Sequence, residues 1–286
     1  MMTRYYKVAG HTFAVSGSTE LFEKMGNYEP FECEGGETLF SLIADSGTIP
    51  DYTEVYRTKM GWACHIYGRT AWGNDVLEYM RRTMSEGCLI CSKDHREGRL
   101  IMTSHTNERV LNMMLMNMYA LATVEKNTLL LHAVVVSCGG KGYLFLGPGG
   151  TGKSTHAQLW LKHVEGTELV NDDFPVVRDG LVYGSPWGGK TNVSYPVGGM
   201  VRLSQASYNK ICRLSGIEAY LYLYDSGYHQ PWYNSIVEGI AEGLHHTENS
   251  LASTVPMWHL ECLPDEAAAR LCHETITNRN KEGVIE

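Results

Sequence analysis

Two apolar runs, LLLHAVVV at residues 129–136 and YLFLG at residues 143–147, stand only six residues apart. The linker, SCGGKG, reads as a glycine-rich turn. A link this short joins antiparallel neighbours, because a parallel return needs a dozen residues or more. The second run passes straight into GPGGTGKST, Gly147 to Thr155. That stretch fits G-x-x-x-x-G-K-[ST], the phosphate-cradling loop between a strand and a helix. In the common nucleotide triphosphatases with this loop, its strand sits in a mainly parallel sheet. Here a hairpin feeds the loop, so the expected sheet is mixed.

Gly147, Gly149, Gly150 and Gly152 let successive backbone N–H groups point inward around phosphate oxygens. The helix that follows adds its positive N-terminal end. Lys153 supplies a point charge for the β- and γ-phosphates, and the Ser154 hydroxyl is the expected Mg2+ ligand. Downstream, Ala157, Trp160, Leu161 and Val164 fall on one helical face, and Gly166 ends the helix. His156 is expected to pack or face solvent. TELVNDD reads as a strand ending in Asp172 and Asp173. Adjacent residues at a strand end point to different sides, so one acid can face a metal and the other an incoming nucleophile. The same letters also suit an exposed acidic turn. His132, taken alone, reads as a satisfied core histidine.

The pattern changes near residue 128, which suggests an N-terminal α+β region at 1–127 and a second domain at 128–286. In the first, YYKVAGHTFAV reads as two strands around a glycine turn, DVLEYMRRTM as a helix, and NERVLNMMLMNMYALATVEK as a methionine-rich core helix. This region either recognises a substrate or partner or only shields the second domain. In the second, FPVVRDGLVYGSPW reads as a hairpin turning at Asp179-Gly180. SPWGGKTNVSYPVGG reads as a loop and MVRLSQ as extended. EAYLYLYD also reads as extended, PWYNSIVEGIAEGLHH as helical, and LPDEAAARLCHETI as a final helix capped by Asp265.

Composition narrows the partners. The chain has 286 residues, 43% hydrophobic and 20% charged, which suits a folded core. Its net charge of −8 and lack of a basic run speak against nucleic acid. No membrane span or signal-peptide apolar region is expected. The eight cysteines read as reduced cytoplasmic thiols. CLIC (Cys88, Cys91), followed by His95 and His105, has metal-site spacing, but no second cysteine pair accompanies it, and buried thiols are expected.

LLLHAVVVSCGGKGYLFLGPGGTGKST followed by LVNDD resembles the nucleotide-binding domain of HPr kinase/phosphorylase and, more distantly, phosphoenolpyruvate carboxykinase. Both families have a histidine in the strand before a hairpin, the phosphate loop after it, and an Asp-Asp pair past the loop helix. The tail VPMWHLECLPDEAAARL and the first 127 residues look like HPr kinase-related proteins of bacterial gene cassettes. The resemblance implies a mixed α/β fold: an α+β region, then an HPr kinase/carboxykinase-like P-loop domain with a mixed sheet. It implies an ATP-dependent kinase acting with Mg2+ on a hydroxyl of a protein, peptide or metabolite. A different class, a nucleotide-binding sensor or cassette partner without phosphotransfer, is the alternative. Nucleotide binding falls to Gly147, Pro148, Gly149, Gly150, Thr151, Gly152, Lys153, Ser154 and Thr155. Asp172 becomes the general base, Asp173 with Ser154 the metal side, and His132 a neighbour of the metal or the γ-phosphate. Lys190, in SPWGGKT, and Arg202 are candidates for a further positive charge. Thr155 stands where HPr kinase has glutamate, and no phosphorolysis signature follows. Homo-oligomerisation is left open.

Overall fold

The computed structural model describes residues 1–189, 191–230, 232 and 239–277. The chain divides into two compact units, Met1–Lys126 with His229–Gly243, and Asn127–Tyr228 with Leu244–Glu286. Each is built on a mixed β-sheet.

In the first unit, β1 (Met2–Val8) and β2 (His11–Gly17) form the expected hairpin. Ala9 and Gly10 both take positive φ, 47° and 80°, the requirement of a type I′ turn. The sheet continues through β3 (Glu32–Cys33), β4 (Ser41–Asp45), β5 (Thr53–Met60), β6 (Ala63–Arg69), β7 (Asp75–Arg81), β8 (Met84–Cys91) and β9 (Glu97–Met102), in the order β3-β1-β2-β4-β9-β8-β7-β6-β5. A short helix α1 (Thr19–Glu23) follows β2. The long helix α2 (Glu108–Thr123) starts at Asn107, whose side chain accepts the Val110 N–H at 3.1 Å. Its buried Met114 and Met118 act as core, not as a binding surface.

DVLEYMRRTM is not a helix. Its apolar residues fit helical spacing, but Asp75 to Tyr79 are all buried, as in a strand covered on both faces. The chain turns back through Arg82, at φ 57°, into β8. CLIC lies in β8, where residues three apart project to opposite faces. Cys88 packs with Val76 and Ile101, whereas Cys91 Sγ lies 3.4 Å from Met118 Sδ on α2. His95 is held by Asp75 instead, at 3.2 Å. The two thiols therefore cannot chelate one ion.

The second unit holds β10 (Thr128–Leu130), β11 (Ala133–Cys138), β12 (Lys141–Leu146), β13 (Glu168–Asn171), β14 (Val176–Arg178), β15 (Leu181–Tyr183), β16 (Ser194–Gln205), β17 (Lys210–Leu214) and β18 (Met257–Cys262). The main order is β10-β14-β15-β16-β12-β11-β13, with β18 on β16 and β17 on β18. β11 and β12 pair antiparallel and β12 and β16 parallel, so the sheet is mixed. The first apolar run is not one strand. It breaks at Leu131–His132, where the backbone N–H groups go to Pro175 O (3.2 Å) and Ser226 O (2.7 Å). Asp179 and Gly180, at φ 49° and 75°, make the β14–β15 turn.

Helix α3 (Lys153–His163) follows the glycine-rich loop. Two further expectations fail. SYPVGG opens β16 rather than extending a loop, because Ser194 to Pro196 pair with β15. EAYLYLYD lies in helix α4 (Gly216–Ser226), where Ala219 and Leu223, four apart, are buried. Helix α5 (Ile240–Thr254) covers the second half of the expected helix, whose residues 231 and 233–238 lie outside the described residues. Helix α6 (Glu266–Thr277) starts at Asp265, which accepts the Ala268 N–H at 2.8 Å. Residues of α3 and α6 share one core with β11, β12, β16 and β18, centred on Trp160. No helix among the described residues is long and apolar enough to cross a membrane.

His156 is part of this core. Trp160 Nε1 donates to its Nε2 at 3.2 Å, so the imidazole proton sits on Nδ1. Burial pulls the histidine pKa from 6.5 down to about 4. The folded value lies below the unfolded one, so the neutral ring's contribution is complete above pH 6.5 and is lost as pH falls towards 4. At 1.36 kcal/mol per unit, the loss is on the order of 3 kcal/mol. Urea unfolding at pH 7 and pH 4 measures it. His156→Gln, which keeps an acceptor for Trp160, is expected to lose distinctly less over that interval.

Candidate functional site

The loop between β12 and α3 has the backbone that its glycines permit. Gly147, Gly150 and Gly152 take φ of 145°, 83° and 96°. A Cβ at Gly147 would lie 2.7 Å from Thr151 Oγ1, and the Thr151 hydroxyl donates to Pro148 O at 2.9 Å. Gln205, at the end of β16, donates to Gly150 O at 3.0 Å. A Cβ at Gly149, Gly150 or Gly152 would meet nothing within 4 Å, so the loop is open on that side. The loop leads directly into the N-terminus of α3, the end of a helix that favours an anion.

Lys153 is only 7% exposed. Its Nζ donates to Gly147 O at 2.7 Å and Pro148 O at 3.3 Å, which folds the side chain back over the loop. Burial lowers its pKa, Arg202 adds to the effect, and Asp173 and Asp172 oppose it. Ser154, exposed beside it, donates its hydroxyl to Asp172 Oδ1 at 2.9 Å. Thr155 is exposed on the first turn of α3.

The two acids follow β13 on a braced turn. Asn171 is buried, and its Oδ1 accepts the Asp173 N–H at 3.0 Å. Its Nδ2 donates to Ser185 Oγ at 3.2 Å, and Ser185 Oγ donates to Phe174 O at 2.5 Å. Asp172 N–H donates to Gly188 O and Phe174 N–H to Trp187 O, both at 3.0 Å. Gly188 is at φ 89°, and a Cβ there would lie 2.3 Å from Asp173 Cβ. The SPWGG segment is thus built against the acid pair. Asn171, Ser185 and Gly188 were not singled out from sequence. The one signal was their presence in the motif segments VNDD and SPWGG.

His132 sits in the break between β10 and β11, stacked on Phe174 at 5.5 Å. Its Nε2 is 3.5 Å from both Lys153 Nζ and Asp173 Oδ1. One tautomer accepts from the lysine; the other donates to the carboxylate. Burial lowers the His132 pKa and the Lys153 charge lowers it further, against Asp173. Burial raises the Asp173 pKa, against the pull of His132 and Lys153.

Lys153, Ser154, Asp172, Asp173 and His132 therefore form one cluster beside the loop. Asp172, not Asp173, touches Ser154. Lys190 lies outside the described residues. Arg202 stands on β16 opposite Leu146, the residue before the loop. No three His, Cys, Asp or Glu side chains among the described residues are placed to hold a metal by themselves. The oxygens of Ser154, Asp172 and Asp173 nevertheless suit a hard cation such as Mg2+, which takes one or two carboxylates and fills its shell with phosphate and water. No protein-family model matches the chain, and no curated protein matches it significantly.

Proposed function

We propose that the second unit is an ATP-dependent kinase domain of the HPr kinase type, transferring the γ-phosphoryl group to a hydroxyl on a protein, peptide or metabolite. One observation carries this: the Ser154 hydroxyl donates to Asp172 at 2.9 Å, so the loop serine and the acid pair share one site. Half-buried ionisable groups with shifted pKa values beside an open anion cradle support a chemical role. The loop N–H groups and Lys153 hold the phosphates. Bound at Ser154 and the acid pair, Mg2+ would neutralise phosphate charge. Asp172 accepts the hydroxyl proton, Asp173 would help hold the metal, and His132 orients Asp173. The hydrogen bond from Ser154 also favours a second division of labour, with Asp172 on the metal and Asp173 as base.

Calorimetry with ATP and Mg2+ tests the site. Wild type is expected to bind, and Lys153→Ala to bind about ten- to a hundredfold more weakly, the worth of a charged hydrogen bond. Labelled ATP offered with serine-containing peptides and free serine then reads transfer. A folded wild type that binds no ATP would sink the kinase reading. Binding without transfer to any acceptor would leave a nucleotide sensor.

A further inference from the structure

Arg202 is unusual for a charged residue inside a sheet. Its side chain is 12% exposed, and its guanidinium lies 5.0 Å above the Tyr222 ring. Nη1 is 3.2 Å from Asp225 Oδ2. Tyr222 and Asp225 both belong to α4, whose last residue, Ser226, accepts the His132 N–H at 2.7 Å. The Asp225 contact is off-line: Nη1 and Nε are both buried and neither makes a hydrogen bond. A buried donor without an acceptor costs about 1–3 kcal/mol, and more when charged. Most buried donors are paired, so two unfilled N–H groups on one guanidinium call for an explanation.

The position explains what could fill them. Arg202 is in parallel register with Leu146, which leads into Gly147. Helix α4, which carries its partners, ends at Ser226, which holds the His132 backbone, and the His132 ring lies 3.5 Å from Lys153 Nζ. A terminal phosphate offers several strong acceptors, and guanidinium binds such oxygens in pairs.

We propose that Arg202 binds the terminal phosphate of the nucleotide, and that Asp225 holds the guanidinium until the nucleotide arrives. This rests on the glycine-rich loop being a nucleotide site. Arg202 then adds a cation specific to the phosphoryl group that is transferred, where negative charge spreads over the equatorial oxygens.

Calorimetry on the full chain with MgATP and MgADP tests it. Arg202→Gln is expected to weaken MgATP by about ten- to a hundredfold and MgADP by less than about threefold. Asp225→Asn removes the competing anion and is expected to raise the preference for ATP over ADP by about threefold or more. An Arg202→Gln protein that keeps the wild-type ATP-to-ADP ratio overturns the proposal. If that variant does not fold, an Asp225→Asn protein with the wild-type ratio overturns it. Wild type binding neither nucleotide removes the site itself, and Arg202's role with it.

Discussion

Asp172→Asn is expected to lower phosphoryl transfer by about a hundred- to ten-thousandfold, the usual worth of a positioned base. The substitution is nearly isosteric. Its amide oxygen still accepts the Ser154 hydroxyl, which donates at 2.9 Å in the native protein, so the loop keeps its shape. What is lost is the capacity to take a proton. ATP affinity should therefore hold while the transfer rate falls. Asp173→Asn is the companion variant. Loss of a metal-side acid is partly recovered by raising Mg2+, because weaker metal binding yields to mass action. Loss of a base is not. If Asp172→Asn recovers with Mg2+ and Asp173→Asn does not, the roles are reversed, as the Ser154 contact favours. Unchanged transfer in Asp172→Asn would remove Asp172 from the mechanism.

The parts of the second unit that were legible in the letters are those set by local rules. A six-residue glycine-rich link left β11 and β12 no arrangement but antiparallel. Asp179-Gly180 supplied the two positive-φ positions of its hairpin turn. The spacing from Ala157 to Val164 marked α3, with Leu161 only half-buried. Two of the failures share a cause: tertiary cover changes which periodicity matters. In β7 five successive residues are buried, which erases the alternation of a strand and leaves letters that fit a helix. In α4 the Leu-Tyr alternation suggests a strand, yet Ala219 and Leu223 are what the fold buries.

The candidate site divides the same way. Gly147 to Ser154, Asp172, Asp173 and His132 stood out because their chemistry is carried by residue type and order. Their supports did not. Asn171 braces the Asp173 backbone through its side chain, and Ser185 joins the two strand ends, 14 residues apart in sequence. Gly188 is recognisable only once Asp173 is seen against it. The pairing of Arg202 with Asp225 spans a strand and a helix that sequence patterning had read as two strands.

Trp160→Ala is expected to cost about 3–5 kcal/mol of stability. The indole is fully buried, with ring centroids of Tyr143, Phe145 and His273 at 5.6, 5.5 and 5.2 Å. Truncation removes one of the two tryptophans of this core and leaves a cavity between α3, α6 and the sheet. It also strips His156 Nε2 of the donor that fixes its tautomer. Domains hold about 5–15 kcal/mol in all, so the loss is about a fifth or more of what is available. Urea unfolding followed by circular dichroism measures it as a lower midpoint with little change in slope. Trp160→Phe separates the two contributions. It keeps most of the packing and loses the N–H, so its cost should fall near the 1–3 kcal/mol of an unsatisfied buried group. Lys153 begins the helix whose inner face Trp160 anchors, so ATP affinity is expected to hold at low urea and fail together with the fold. A Trp160→Ala protein of wild-type stability would mean that α3 is held to the sheet by something other than this ring.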